Sequence, residues 1–586
     1  MKKRIMALML CASMTLGLLT GCGGGTQDAG SGPAAGSAGG TEGSGGENAG
    51  GDAEGGQALL PEDDPDETIS FSIWTAADDY KHYNTYNDNP VVQELNEMFN
   101  VKMEFQLPAI GAEMDNFNLM IGTGDYTDLI NTSYSTDGQS VLYEDGVIID
   151  IAPYIEKYMP NYYAILQENE ELRKLVYDDE GHAFGMFNID DLNRNQWGGL
   201  VYRRDILETM TGGNVAFPSG NEDPVTVEDW EYMLPLMKQY FDNSGIAETA
   251  CLVIPACGYI LTGELAAGFG TSGTWQLSKD KTTVEFGPAT DEFYHYVSKM
   301  KDWYAKGYVY QDFASRTNDL FYLPNTSLTY GGAAGVWMGL LGQTGTAMSI
   351  PEYNLEMNVR PITPPLDAEN HVAEEDASFY IFSGIGSLPY CFSTACDEDK
   401  IARIMKVFDY LYSEEGSCLR NWGLNKEQAA DNELYQSMGM GDGAWWFDED
   451  GNYCVSEVMK DATPNFEPMS FTGARLPGIG IDKWPANKPR TENDDMQDFA
   501  GDVWVSYGRD RQFPTGATLN AEESRQFKEV YTDITDYVNS MIPKFIMGTE
   551  ELTDESWQKY VDKLKEMGLE QALAAYQSAL GRYNTR

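Results

Sequence analysis

Strand-like and helix-like hydrophobic patterns alternate along this chain from Thr68 onward, and that alternation confines it to α/β architecture. In Thr68 to Thr75 (TISFSIWT), Ile69, Phe71 and Ile73 recur at every second residue, the period of a strand with one buried face. An Asp-, Tyr- and Asn-rich loop runs from Ala76 to Asn89. Pro90 then opens a helix in which Val91, Leu95, Met98 and Phe99 return at helical spacing. A second strand, Val101 to Phe105, leads toward GTGDYTDLI, Gly122 to Ile130. Far downstream, Ile401, Ile404, Met405, Phe408, Leu411 and Tyr412 form one apolar helix face behind Asp397, Glu398 and Asp399, with Gly416 just past its end. Trp557, Tyr560, Val561 and Leu564 repeat the pattern ahead of Gly568.

Before this folded part, a basic patch (Met1 to Arg4) precedes an apolar run from Ile5 to Leu19, shorter than the ~20 residues a spanning helix needs. That is the layout of a secretory signal peptide. Its end, Leu19-Thr20-Gly21-Cys22, resembles the lipobox of bacterial lipoproteins, which implies that Cys22 is lipidated and begins the mature chain. From Gly23 to Gln57 the chain holds 15 glycines among 35 residues. Such a stretch buries too little apolar surface to offset its ordering entropy, so a disordered tether is expected. Its span would be roughly 30–35 Å, from about 5–6 Å times √n.

The formal net charge is −53, and losing Lys2, Lys3 and Arg4 with the leader takes it to −56. A balance so negative argues against nucleic acid and against docking on anionic lipid, both of which need basic patches. The membrane is reached only through the lipid anchor. Six cysteines remain beyond Cys22: Cys251, Cys257, Cys391, Cys396, Cys418 and Cys454. Cys251 with Cys257 and Cys391 with Cys396 can close short loops, or these are buried thiols. Four scattered histidines supply no zinc spacing, and neither G-x-S-x-G nor a Walker loop occurs. One G-x-G-x-x-G, Gly268 to Gly273, leads into the strand-like Thr274 to Leu277, so it reads as a loop and not a nucleotide site. No catalytic residues, cofactor or metal are expected, and the chain is read as a binder and not an enzyme.

The strand–helix–strand opening with its Thr123-Gly124-Asp125-Tyr126-Thr127-Asp128 turn resembles family 1 extracellular solute-binding proteins, the capturing lipoproteins of ATP-driven importers. Many members carry a proline in this turn that is absent here. YDDEGHAFGMF (Tyr177 to Phe187), LVYRRDIL (Leu200 to Leu207), MKDWYAKGYVYQDF (Met300 to Phe313), YGGAAGVWMG (Tyr330 to Gly339) and KVFDYLYSEEG (Lys406 to Gly416) extend the likeness. The C-terminal helices resemble the oligosaccharide-associated lipoproteins of Gram-positive bacteria. The stretch Asp242 to Glu248, where some relatives carry a calcium loop, is too short for that ligand set.

The resemblance implies a two-lobe periplasmic-binding-protein type II fold with a hinge and an interlobe cleft. It divides the chain into a signal peptide (1–21), a lipidated tether (22–66), lobe 1 (67–187 and 375–425) and lobe 2 (188–374 and 426–586). It further implies a monomer on the outer face of the cell membrane that captures an oligosaccharide and delivers it to the permease of an ABC transporter. A sugar's C–H faces and hydroxyl rim want aromatic rings and planar polar groups. Expected contacts are Trp74, Asp78, Tyr80 and Tyr83 after the first strand, Asn131 and Tyr134 after the Asp turn, and Asn195 and Trp197 in the first crossing. The second lobe adds Trp337 above all, and Trp445 stands at the rim. A surface-anchored glycoside hydrolase and a peptide binder of the same fold remain open.

Overall fold

The computed structural model describes residues 60–76, 85–189, 198–253, 265–315, 326–329, 331–350, 355–379, 386–460, 473, 476–481 and 484–586. Cys22, Asp78, Tyr80, Tyr83, Asn195, Trp197 and Cys257 lie outside them. In chain order the strands are β1 Ile69–Trp74, β2 Val101–Gln106, β3 Leu129–Asn131, β4 Gly185–Ile189, β5 Gly198–Arg203, β6 Ala250–Leu252, β7 Trp275–Leu277 and β8 Val284–Phe286. There follow β9 Ala334–Leu340, β10 Gly345–Ile350, β11 Leu355–Pro361, β12 Ser387–Phe392, β13 Trp445–Phe447, β14 Tyr453–Val455 and β15 Gly478–Ile479.

Two sheets organise the chain, one ordered β15-β4-β12-β3-β1-β2 and the other β10-β11-β5-β9-β6. In the first, β1 runs parallel to β2 and β3, and β12 is inserted antiparallel between β3 and β4. So β4 points the same way as β1 and β3, and its carboxyl end hands the chain to β5 in the second sheet. In that sheet β9 runs antiparallel to β5, with Gly198 opposite Leu340, and β6 is parallel to β9. The carboxyl ends of β1, β3, β4, β6 and β9 therefore all face the strip where the chain crosses between sheets. Open α/β sheets bind ligands beyond the carboxyl ends of their strands.

Each sheet carries its own core. Strand alternation sends Phe71 and Ile73 into the larger first-lobe core, with the helices Pro90–Met98, Glu398–Tyr410 and Glu414–Trp422, and sends Trp74 to the opposite face with Phe117 and Ile130. Asn89 caps the first of these helices, its Oδ1 accepting from Val91 N at 2.8 Å ahead of the rigid Pro90. The second-lobe core is built by the helices Val227–Ser244, Asp291–Ala305, Ala521–Met547, Asp554–Glu566 and Leu569–Tyr583. At its centre the Trp230 and Trp303 rings stack, centroids 5.7 Å apart and 5° from parallel.

Two sequence expectations need revision. The stretch after 425 is expected in the second lobe, yet Ala429, Tyr435, Trp445, Val455 and Met459 pack into the first-lobe core, and β15 completes the first sheet. The chain leaves that lobe only after β15, through residues 484–490, to the helix Glu492–Val505, which lies on β5, β10 and β11. Upstream, Phe379 still sits under the Arg511 guanidinium of the second lobe, 4.8 Å from ring centroid to Cζ, so the return crossing lies beyond 379 and not at 375. Gly416 falls beyond the end of the helix Glu398–Tyr410, as expected. It lies in the first turn of Glu414–Trp422, where a Cβ would stand 1.8 Å from the Tyr410 carbonyl oxygen, so the close approach of two helices demands glycine. Among the described residues no helix is long and apolar enough to cross a membrane.

Candidate functional site

At the first-lobe side of the crossing strip, three elements are stitched by polar side chains. Asn131 Nδ2 donates to Thr75 Oγ1 at 3.2 Å, and Thr75 Oγ1 lies 2.9 Å from the Tyr390 hydroxyl, because register places Tyr390 opposite Asn131. Asn131 Oδ1 accepts from Ser133 N at 3.1 Å and so caps the turn Thr132–Tyr134. All three side chains are buried, and buried polar groups need such partners. The turn they fix carries Tyr134, which is half-buried with its ring edge-on to Trp74 at 5.6 Å.

Three aromatic candidates offer no free ring face. Trp74 is 2 % exposed, its Nε1 donating to Asn116 Oδ1 at 2.7 Å and its ring against Phe117. Trp337 is 1 % exposed within the second-lobe core, its Nε1 donating to Gln343 Oε1 at 3.2 Å. The physical reason is position: β9 is an interior strand of a sheet covered on both faces, so its indole is core. Trp445 is buried in the first lobe, donating from Nε1 to Gly423 O at 2.8 Å, while its neighbours Trp446 and Phe447 are 38 % and 41 % exposed. Of the expected contacts, Trp74, Asn131 and Tyr134 are thus brought together, with Tyr134 the accessible one. Trp337 and Trp445 sit in separate cores.

Sequence reading missed two residues at the crossings. Trp504, from the helix Glu492–Val505, lies flat against Gly199: a Cβ there would be 2.4 Å from its ring, and its Nε1 donates to Leu200 O at 2.8 Å. The Gly198-Gly199 pair inside a strand was the available signal, since strand glycines mark close approach. Arg420 is the other. Its buried guanidinium bonds Asn188 Oδ1 on β4 through Nη2 and donates from Nε to Leu476 O at 2.9 Å, just ahead of β15. Asn188 Nδ2 in turn donates to Ser387 Oγ at 3.3 Å, where β12 begins. Arg420 and Asn188 together therefore link the strands of all three crossings.

Cys391, on β12, is a thiol that burial pushes up to about 12, against hydrogen bonds from Thr132 and Gln139. Cys251 in the second-lobe core is raised to about 12 by burial as well. Cys391 and Cys396 are separate thiols, not a disulfide. Thiols raised so far by burial expose almost no reactive thiolate near neutral pH. Mass spectrometry after brief iodoacetamide treatment should find Cys251 and Cys391 unmodified in the native protein and alkylated in denaturant; labelling of the native protein would refute their burial. Among the described residues no group of three or more His, Cys, Asp or Glu side chains is placed to hold a metal.

No family model and no curated protein matches the chain by sequence. Solved structures do match by shape. An extracellular solute-binding protein from Bifidobacterium longum subsp. infantis superposes with a TM-score of 0.67 at 14 % identity, over 89 % of this chain and 100 % of the other. The fold is that of solute-binding proteins. FusA, the ABC-transporter substrate-binding protein of S. pneumoniae solved with kestose, gives 0.65 at 18 % identity over 88 % of this chain and 99 % of the other. An HMO-binding, ABC-transporter-associated solute-binding protein from Bifidobacterium longum infantis gives 0.64 at 16 % identity over 88 % and 99 %. These neighbours are binding proteins rather than enzymes. The expected two-lobe α/β architecture is thereby met, with the crossings of this solute-binding fold formed by β4 to β5, β11 to β12 and β15 to the helix Glu492–Val505.

Proposed function

We propose that the chain is a lipid-anchored extracytoplasmic binding protein that captures an oligosaccharide between its lobes and delivers it to the permease of an ABC importer, without cleaving it. The observation that carries this reading is the two-sheet, triple-crossing fold shared along nearly the whole chain with FusA and the HMO-binding protein. Tyr134 at the crossing strip, set edge-on to the Trp74 ring, supplies a phenol suited to a sugar face. Asp78, Tyr80, Tyr83, Asn195 and Trp197 belong to segments that leave β1 and β4 at that same strip, and they stay in the proposed site for that reason. The lipobox at Cys22 supports the anchor. A ligand touching both lobes favours the closed arrangement only by its differential affinity for it.

Thermal unfolding of the purified protein with panels of oligosaccharides and peptides tests the reading. A bound oligosaccharide at about 100 times its Kd should stabilise by roughly 2.7 kcal/mol and be recovered intact. Stabilisation by peptides alone would overturn the cargo, and a shortened glycan would replace binding with hydrolysis.

A further inference from the structure

Away from the crossings the lobes meet a second time, through helices whose apolar faces belong to the second lobe. Ile534, Val538, Ile542, Leu569 and Leu580 fix the helices Ala521–Met547 and Leu569–Tyr583 in the second-lobe core. Their charged ends, however, rest on the first lobe. Asp179, in the turn between the helix Glu170–Val176 and β4, accepts from Arg582 Nε through Oδ2, and its Oδ1 lies 3.0 Å from Arg586 Nε. Arg582 is aimed there by Glu523 of its own lobe, at 2.9 and 2.6 Å, and Arg586 Nη1 donates to Lys174 O at 3.0 Å. Farther along the seam, Arg525 bonds Glu144 and Asp145, each at 2.8 Å, Lys528 bonds Asp137 at 2.8 Å, and Arg509 meets Glu171. A Cβ on Gly516 would stand 2.6 Å from Lys174 O, so the two backbones are in direct contact.

The polarity of the seam is informative. The chain has 39 Lys and Arg against 92 Asp and Glu, so cations are scarce. Yet every lobe-to-lobe ion pair just described takes its cation from residues 509–586 and its acid from residues 137–179. Scattered surface pairing would mix the directions. The central members are shielded from water, with side-chain exposures of 18 % for Asp179 and 27 % for Arg582, so salt screens them less than ordinary surface pairs. The crossing strands alone leave rotation about themselves open. The seam does not, because turning one lobe moves the helix Glu170–Val176 away from Arg582 and Arg586.

We propose that this seam is an interlobe clasp that sets the angle between the lobes, with Asp179 as its central acid. It concerns lobe geometry and holds whatever the cargo is. Spin labels on Leu119→Cys in the first lobe and Ile246→Cys in the second, both exposed positions, read that geometry by double electron–electron resonance. Asp179→Asn and Arg582→Gln should each broaden or displace the interlobe distance distribution at an unchanged far-ultraviolet circular dichroism spectrum. Asp242→Asn, which loses an exposed pair with Lys238 on its own helix, should not. In the unsubstituted protein, salt at about 1 M, where the Debye length is ~3 Å, should move the distribution the same way. If Asp179→Asn fails to fold, Arg525→Gln at the exposed end of the seam and the salt series decide the matter. Distributions that stay as in the unsubstituted protein overturn the clasp.

Discussion

An Arg420→Met protein is expected to lose about 2–6 kcal/mol of stability, because two buried acceptors, Asn188 Oδ1 and Leu476 O, lose their donor at about 1–3 kcal/mol each. The change keeps the side chain's length and apolar stem, so the loss reports the guanidinium and not a cavity. Gly478 shows how closely the site is shaped around it: a Cβ there would lie 2.5 Å from Arg420 Cδ. Arg420→Lys should recover only part of the loss, since a single ammonium cannot serve two acceptors in the planar geometry of the fork. Urea unfolding followed through first-lobe fluorescence measures it, and an unchanged midpoint would mean that the three crossings are held by other contacts.

Trp337→Ala is the second large effect. The indole is enclosed in the second-lobe core, and removing so large a buried ring costs about 3–5 kcal/mol through lost burial and the cavity left behind. Gln343, which accepts from both Trp337 Nε1 and Leu340 N, keeps its second donor, so the deficit should lie in packing. The structure places this residue in the second-lobe core. A lowered melting temperature with ligand affinity retained at low temperature is the expected pair of results. Lost affinity at an unchanged melting temperature would return the indole to the binding site.

These two residues mark where the sequence stops being legible. Periodicity, caps and punctuation placed β1, the helix after Pro90 and the stripe on Ile401 to Phe408, because each is decided by a few neighbouring residues. Which core an amphipathic element joins is not written in its own pattern. The segment from Leu424 to Lys460 has ordinary helices and a hairpin, and only tertiary packing assigns it to the first lobe. The same holds for tryptophans: Trp74 faces away from the larger core by strand alternation, but whether that face meets ligand or Phe117 depends on a helix that arrives 40 residues later. Arg420 was invisible for a further reason. A lone arginine on a helix reads as surface until the strands it joins, nearly 300 residues apart, are brought together.

The insertion of β12 between β3 and β4 has a consequence for how the chain assembles. Synthesis proceeds from the amino end, so β1 to β4 exist early, but the slot in the middle of their sheet stays vacant until residue 392 has been made. By then every strand of the other sheet has already emerged. Pairings separated by so many residues are slow to form and leave apolar edges exposed meanwhile. The sheet that starts first is completed last, and the waiting half-sheet is the species most prone to aggregate before the protein is whole.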